Sequence, residues 1–267
     1  MEFKKSKNSK MVKEIRNNSF RKYIPLNQKL LNIINDIDKD YFFLKNPAGQ
    51  NIYLYLCEYV KNFSEWYFKK SPQNLKVLDW GCGKGQVTFL LKEMNFNVIS
   101  CDLNKKTNDS AFGQIAPIIE KANIKIIPLE HEYLLPFSNE CFDIVLSFGV
   151  LEHVSNDQES LKEINRVLKP EGLFFCFNLP YFLSWTQRLA HFKGDFYHNR
   201  LYNKNKVINL LNKSNFYLID LWHRQLFPKN NIKYSKYRVF ETIDQFLVAH
   251  TFLKYFATSI EFVAYKK

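Results

Sequence analysis

Three of the chain's 8 glycines, Gly81, Gly83 and Gly85, fall together in the run Asp79-Trp80-Gly81-Cys82-Gly83-Lys84-Gly85. Clustered glycines let a backbone approach a ligand closely and take dihedral angles that a side chain would oppose. Acids bracket the run. Asp79 closes the apolar stretch before it, and Asp102 closes the next one, 19 residues after Gly83. A P-loop would need Gly where Leu78 stands and Ser or Thr where Gly85 stands. A dinucleotide fingerprint would need Gly or Ala at Gln86. The charges point elsewhere. A carboxylate at Asp79 would repel a pyrophosphate, but it suits a ligand whose near end carries an ammonium and a sulfonium. The N-terminus of the helix that follows favours a carboxylate on the same ligand. Asp102 is placed to accept from both hydroxyls of a ribose, at about 1.5–3 kcal/mol for each hydrogen bond to a charged group. For either acid alone the plainer alternative is a strand-end turn residue. The pair around a glycine triplet favours the ligand site.

A second group carries acid–base potential. His153, after the fourth apolar run, is the first candidate for a general base working near neutral pH. His198 and His191, in the aromatic stretch 180–202, come next. The alternatives are a residue that orients a loop at a helix start, for His153, and packing or surface histidines for the other two. Cys57, Cys82, Cys101, Cys141 and Cys176 lack metal-ligand spacing and read as reduced thiols of a cytoplasmic chain.

Short apolar runs alternating with helical patterns must position these groups. Strands are expected at Leu75–Asp79, Asn97–Cys101, Ile124–Pro128, Phe142–Phe148 and Leu173–Asn178. Helices are expected at Gln86–Met94, Ser110–Lys121 and Asp157–Leu168. This alternation implies right-handed crossovers and a parallel sheet covered on both faces, with ligands at the carboxyl ends of the strands. Two helices precede it: one repeats Leu26, Leu30, Ile33, Ile34 and Ile37, the other runs over about 50–69. After the fifth strand come a helix at about 204–214, a strand at Phe216–Trp222, an amphipathic helix through Val239, Ile243, Phe246 and His250, and a closing strand at Ser259–Ala264. The expected division is a basic mobile arm over 1–23, a helical cap over 24–72, a ligand-binding core over 73–180, and a lid with closing strands over 181–267.

With the elements in place, the sequence resembles a known family. Val77 through Gly85 is similar to motif I of the class I methyltransferases. Leu135-Pro136-Phe137, Cys141-Phe142-Asp143-Ile144-Val145, Val150-Leu151-Glu152-His153-Val154 and Arg166-Val167-Leu168-Lys169-Pro170-Glu171-Gly172 resemble the type 11 methyltransferase domain. The likeness covers about 75–178. It implies S-adenosylmethionine as cofactor and a doubly wound α/β fold: a seven-stranded, mostly parallel, Rossmann-like sheet whose last strand is antiparallel. Carried onto this chain, it implies cofactor contacts at Asp79, Gly81, Cys82, Gly83, Asp102, Leu103 and Phe148. An adenine contact would fall at Glu130, His131 or Glu132, with His131 aligned on the usual Asp. Glu152-His153 also resembles the Glu-x-x-Glu-His metal site of the ubiquinone O-methyltransferases, but Gly149 replaces the first acid, so no metal is expected. His153 and His198 stay as the catalytic candidates.

The expected activity is O-methylation of a small molecule or a lipid-linked sugar. The arrangement Ser184-Trp185, His198, Tyr202 and Leu226-Phe227-Pro228 resembles methyltransferases of bacterial surface-polysaccharide gene sets, which is where the sugar enters. Tyr181, Phe182, Trp185, Phe192, Phe196 and Tyr197 would form the aromatic lid. A non-catalytic domain of the same fold is one alternative; the intact acids and glycine loop speak against it. A nucleic-acid methyltransferase is another, motivated by the net charge of +12. Half of that excess falls in the first 23 residues, and the strand-four motif of base amino-methylases is replaced by Ser147-Phe148-Gly149-Val150. Nucleic acid is therefore not the expected partner. The basic arm would instead touch anionic lipid at the inner membrane surface. No stretch of about 18 residues lacks a charge, so no membrane span is expected.

Overall fold

The computed structural model describes residues 7–21, 27–35, 47–103, 117–194, 198–227 and 234–267. Its centre is a seven-stranded sheet in the order β3-β2-β1-β4-β5-β7-β6. The strands are β1 (Lys76–Trp80), β2 (Asn97–Leu103), β3 (Ile126–Leu129), β4 (Phe142–Phe148), β5 (Leu168–Pro180), β6 (Phe216–Arg224) and β7 (Ser259–Lys266). Strands β1 to β5 pair in parallel, and β7 runs antiparallel to both β5 and β6. This is the expected Rossmann-like topology. Sequence order reverses between β1 and β4, which opens a crevice at the carboxyl ends of these strands.

Both sheet faces are dry, so the central strands are nearly continuous apolar runs. Val77, Ile144, Phe175 and Val263 point to one face; Leu78, Val145, Phe174 and Phe262 point to the other. The first face is covered by α1 (Lys7–Arg21), α3 (Pro47–Phe68) and α4 (Gln86–Glu93), with the short α2 (Gln28–Asn35) beside them. Tyr59 of α3 is central here, meeting Phe175 and Trp222 edge-on at 5.9 and 5.4 Å. The second face is covered by α6 (Asp157–Val167) and α8 (Lys204–Lys213) through Ile164, Leu210 and Leu211. Between β2 and β3, α5 is helical over Pro117–Lys121; the earlier part of the expected helix lies outside the described residues. The ends of the expected Leu26–Ile37 repeat also lie outside them.

Two expectations change. The first 23 residues do not form a mobile arm throughout, because Lys7–Arg21 is helical. Val12 is buried, Phe20 lies 5.8 Å from the Tyr59 ring, and Arg16 pairs with Asp220 and stacks over Trp222. A buried stripe through Val12, Ile15 and Ser19 at helical spacing outweighs the basic composition. Strand β5 also begins earlier than expected. Leu168 pairs with Phe142 across a register shift, so the Lys169–Gly172 turn is built into the strand's start.

The elements after β5 stand over the carboxyl edge: α7 (Trp185–Lys193), α9 (Tyr234–His250) and a 3-10 turn at Phe252–Phe256. Trp185 Nε1 donates to Leu226 O at 2.6 Å, which ties α7 to the turn leaving β6. No helix among the described residues is long and apolar enough to cross a membrane.

Candidate active site

The glycine loop leaves β1 and is pinned at once to β2. The N–H groups of Gly81 and Cys82 both donate to Cys101 O, at 3.0 and 3.1 Å. Gly81, Gly83 and Gly85 all have positive φ, at 69, 51 and 81°. Their spaces differ. A Cβ on Gly81 would lie 2.6 Å from Val150 Cγ2, whereas one on Gly83 would meet nothing within 4 Å. Gly81 therefore lets the segment after β4 pack onto the loop, and Gly83 faces an open space.

Asp102 borders that space. Its Oδ2 accepts from Gly83 N at 2.6 Å and its Oδ1 from Leu103 N at 2.7 Å. These bonds orient the carboxylate and leave each oxygen a further lone pair. Asp79 is placed differently. It is buried, and its Oδ2 accepts from Thr88 Oγ1 at 2.6 Å; Thr88 in turn meets Ser100 Oγ at 2.8 Å. Burial pushes Asp79 up to about 6; the Thr88 bond opposes the rise and Asp102 adds to it. Cys82 is buried too, and burial raises its thiol far above the usual range, so it contributes shape and a backbone N–H rather than a thiolate.

On the other side of β1, the Phe148 ring ends β4 and stacks on Tyr53 of α3 at 5.9 Å. Burial raises the Tyr53 hydroxyl's pKa, while a hydrogen bond to Gln86 at the start of α4 lowers it. Sequence reasoning missed Tyr53, since nothing in a helical apolar repeat marks which member meets the end of β4. After β3, Glu130 and His131 are exposed. Glu132 accepts from Ser155 N, so it braces the segment that carries His153.

That segment is fixed from several sides. Gly149 N donates to Phe177 O at 3.0 Å, and the Asn156 side chain caps α6 by accepting from the N–H groups of Gln158 and Glu159. Arg200 donates to the carbonyls of Val154 and Ser155, and Tyr202 OH to Leu151 O at 3.2 Å. The return of the chain after α7 thus brings His198 to His153, ring centroids 5.0 Å apart. Glu152 lies beneath both: its Oε1 is 3.8 Å from His153 Nε2 and 4.0 Å from His198 Nε2. Burial pushes Glu152 up to about 8. Burial and then the neighbouring His153 hold His198 below its usual value, so it is neutral at pH 7. Glu152, His153 and His198 offer ligand atoms within 4.8 Å of one another, a set that could also hold a metal ion.

A cleft of about 370 Å³ opens beside His198, lined by Phe182, Gln187, His191 and Leu201 among others. His191 therefore lies with His198, at the cleft rather than beside His153. Phe196 and Tyr197 lie outside the described residues.

Residues 78–176 match the family model described as a methyltransferase domain. Curated relatives include the ubiquinone biosynthesis O-methyltransferases of Caulobacter vibrioides, 32% identical over 107 residues (40% of this chain, 42% of that one), and of Rickettsia akari, 27% identical over 116 residues (43% and 45%). The match thus spans under half the length of these relatives. Among solved structures, a SAM-dependent methyltransferase from Archaeoglobus fulgidus superposes with a TM-score of 0.51 at 18% identity, covering 79% of this chain and 94% of that one. The [4+2]-cyclase SpnF superposes equally well, at 0.51 and 14% identity over 81% and 82%. The fold is therefore shared with a different chemistry, and the reaction must be argued from the site.

Proposed function

We propose, from the premise that residues 78–176 are a class I methyltransferase domain of the type 11 family, that this chain methylates a hydroxyl of a small-molecule or sugar acceptor. S-adenosylmethionine is the methyl donor of that family. The observation that carries the reading is the contact of Val150 with the face of Gly81. It sets the donor loop and the segment bearing His153 against each other, which supports a donor site next to the histidine pair.

The residues present fit the donor. The Cβ-free space at Gly83 is a cradle for it. Asp102 would hold the ribose hydroxyls, with Leu103 beside it. Asp79 would supply negative charge toward the cationic end, and the backbone of Gly81, Cys82 and Gly83 would line the approach. Phe148 and Tyr53 would wall the cavity, and His131 would meet the adenine edge, because Glu132 is engaged with Ser155. When bound, the donor supplies an electrophilic methyl group on its sulfonium. The protein's part is alignment, which can contribute about 7–11 kcal/mol, and removal of the hydroxyl proton.

His153 takes that proton in this reading, and His198, neutral and at the mouth of the cleft, is the second acceptor. The cleft volume, about 370 Å³, is near the lower end of the range of roughly 300–1,000 Å³ for ligand pockets. It suits a single sugar or aromatic ring, with Phe182 and α7 as a lid. The names of the ubiquinone relatives support an oxygen acceptor. A second reading comes from the clustering of Glu152, His153 and His198: a divalent ion there would lower the acceptor hydroxyl's pKa directly.

Transfer of label from S-[methyl-³H]adenosylmethionine to a panel of hexose and phenol acceptors tests the reading. Label on an acceptor oxygen is expected. Donor binding with label only on nitrogen or carbon acceptors would overturn O-methylation, and absence of donor binding would overturn the whole reading.

A further inference from the structure

We infer that an apolar crown at the carboxyl edge of the sheet, made of α9, the 252–256 turn and α7, docks this protein on an anionic phospholipid surface. That the acceptor cleft would open at that surface rests on the methyl-transfer reading; the docking itself does not.

The crown begins with a helix turned outside in. An amphipathic helix normally buries its apolar stripe. In α9, Val239, Ile243 and Phe246, at positions i, i+4 and i+7, are instead 62%, 46% and 60% exposed. Among the helix's described side chains the buried one is Asp244, which accepts from the N–H groups of Leu226 and Phe227 at 2.8 and 3.0 Å. The helix is thus anchored by a carboxylate on two backbone donors, and its apolar stripe is left facing outward. Phe252, in the turn that follows, is 71% exposed, and Phe192 on α7 is 87% exposed.

These pieces share one edge. Strands β5 and β6 end there and β7 begins there. The Tyr181 ring at the end of β5 meets His223 at 4.7 Å, and His223 meets Tyr255 at 6.0 Å. Trp185 ties α7 to Leu226 in the same turn that Asp244 holds. Exposed apolar residues scattered singly are ordinary, but a contiguous set marks an interaction surface.

Charge selects the partner. Between Trp222 and Ile260 the acids are Glu241 and Asp244, and there is none between Tyr181 and Gly194. Asp244 is buried, and Glu241 accepts from Gln245 Nε2 at 2.8 Å. The basic side is open: Arg188 and Lys193 are exposed on α7, and Lys254 lies over the Tyr255 ring. A second copy of this chain would bring two basic rims together. A nucleic acid would use the rim and the rings but has no use for Val239 and Ile243. An anionic bilayer satisfies both parts, taking the apolar side chains below its headgroups and the basic rim at their level.

Flotation of the full chain with vesicles tests this, comparing phosphatidylcholine alone with phosphatidylcholine containing phosphatidylglycerol. The protein should float with the anionic vesicles and less with the neutral ones. The double variant Phe246→Glu/Phe252→Glu, at two exposed positions, should weaken flotation about tenfold or more. Its affinity for S-adenosylhomocysteine should be unchanged, which separates lost docking from lost folding. The proposal is overturned if the wild type stays with the soluble fraction, or if the variant floats equally well. It is also overturned if light scattering finds a dimer that the same substitutions dissociate, or if the face retains single-stranded RNA at physiological salt and releases it in the variant.

Discussion

Val150 fills the space that a side chain on Gly81 would need: its Cγ2 lies 2.6 Å from where a Cβ would stand. Gly81 is thus a packing glycine, whereas Gly83, two residues on, faces open space. Alanine at the two positions should therefore fail in different ways. Gly81→Ala meets both an overpacked contact and a left-handed φ, and should lower unfolding stability by about 2–4 kcal/mol. Adding Val150→Ala should return part of that. Gly83→Ala should cost only about 1 kcal/mol in stability, yet largely abolish S-adenosylhomocysteine binding. Denaturant melts and calorimetry on the same samples check this; equal stability losses at both positions would remove the distinction.

Asp102 closes the cradle from the side of β2. Its two oxygens are oriented by Gly83 N and Leu103 N, so the carboxylate is already set before any ligand arrives. Asp102→Ala removes two charged acceptors and the tether on the loop. Affinity for S-adenosylhomocysteine should fall about ten- to a hundredfold. Asp102→Asn keeps one acceptor oxygen and should fall in between. Calorimetry that finds the alanine variant unchanged would exclude Asp102 from the ribose site.

Asp79 gives a pH dependence with two opposite signs. Its pKa is raised, by burial first, from 3.8 to about 6. A raised acid favours folding fully below 3.8 and loses that contribution as pH rises through about 6, so its ionisation at neutral pH works against stability. A cationic ligand gains from the same ionisation. Affinity for S-adenosylmethionine should thus decline as pH falls through about 6. Asp79→Asn should melt higher than wild type above neutral pH, bind the donor more weakly, and flatten the pH profile. Titration calorimetry and thermal melts across this range test both signs.

What could be read without coordinates follows from the kind of pattern involved. Strands β1, β2, β4 and β5 are continuous apolar runs because both faces are covered, and their ends carry Asp79, Asp102 and Phe148. The strand ends that carry these three residues were therefore legible. Helix α1 was not, because many lysines masked the stripe through Val12, Ile15 and Ser19. The direction of the α9 stripe was not legible either, for the opposite reason. Its apolar period is clear, but only the hydrogen bonds at Asp244 reveal that the stripe faces away from the core. The approach of His198 to His153 depends on Arg200 and Tyr202 holding backbone carbonyls far away in the chain, and no local pattern encodes such contacts.

The His153–His198 pair decides between a proton acceptor and a metal ligand set. If His153 is the base, His153→Ala should lower kcat by about 10²–10⁴-fold and leave the dissociation constant of S-adenosylhomocysteine nearly unchanged. The donor loop meets this segment at Val150, so cofactor affinity is expected to follow Val150 rather than the imidazole. His198→Ala should have a smaller effect on kcat and a larger one on the acceptor KM, because His198 lines the cleft. Glu152→Gln keeps the shape of the buried side chain and, since Glu152 holds its proton at neutral pH, should be mild. Chelators should leave turnover intact. If instead a chelator abolishes turnover and a divalent ion restores it, and Glu152→Gln is as damaging as His153→Ala, the three residues act through a metal and the base assignment is wrong.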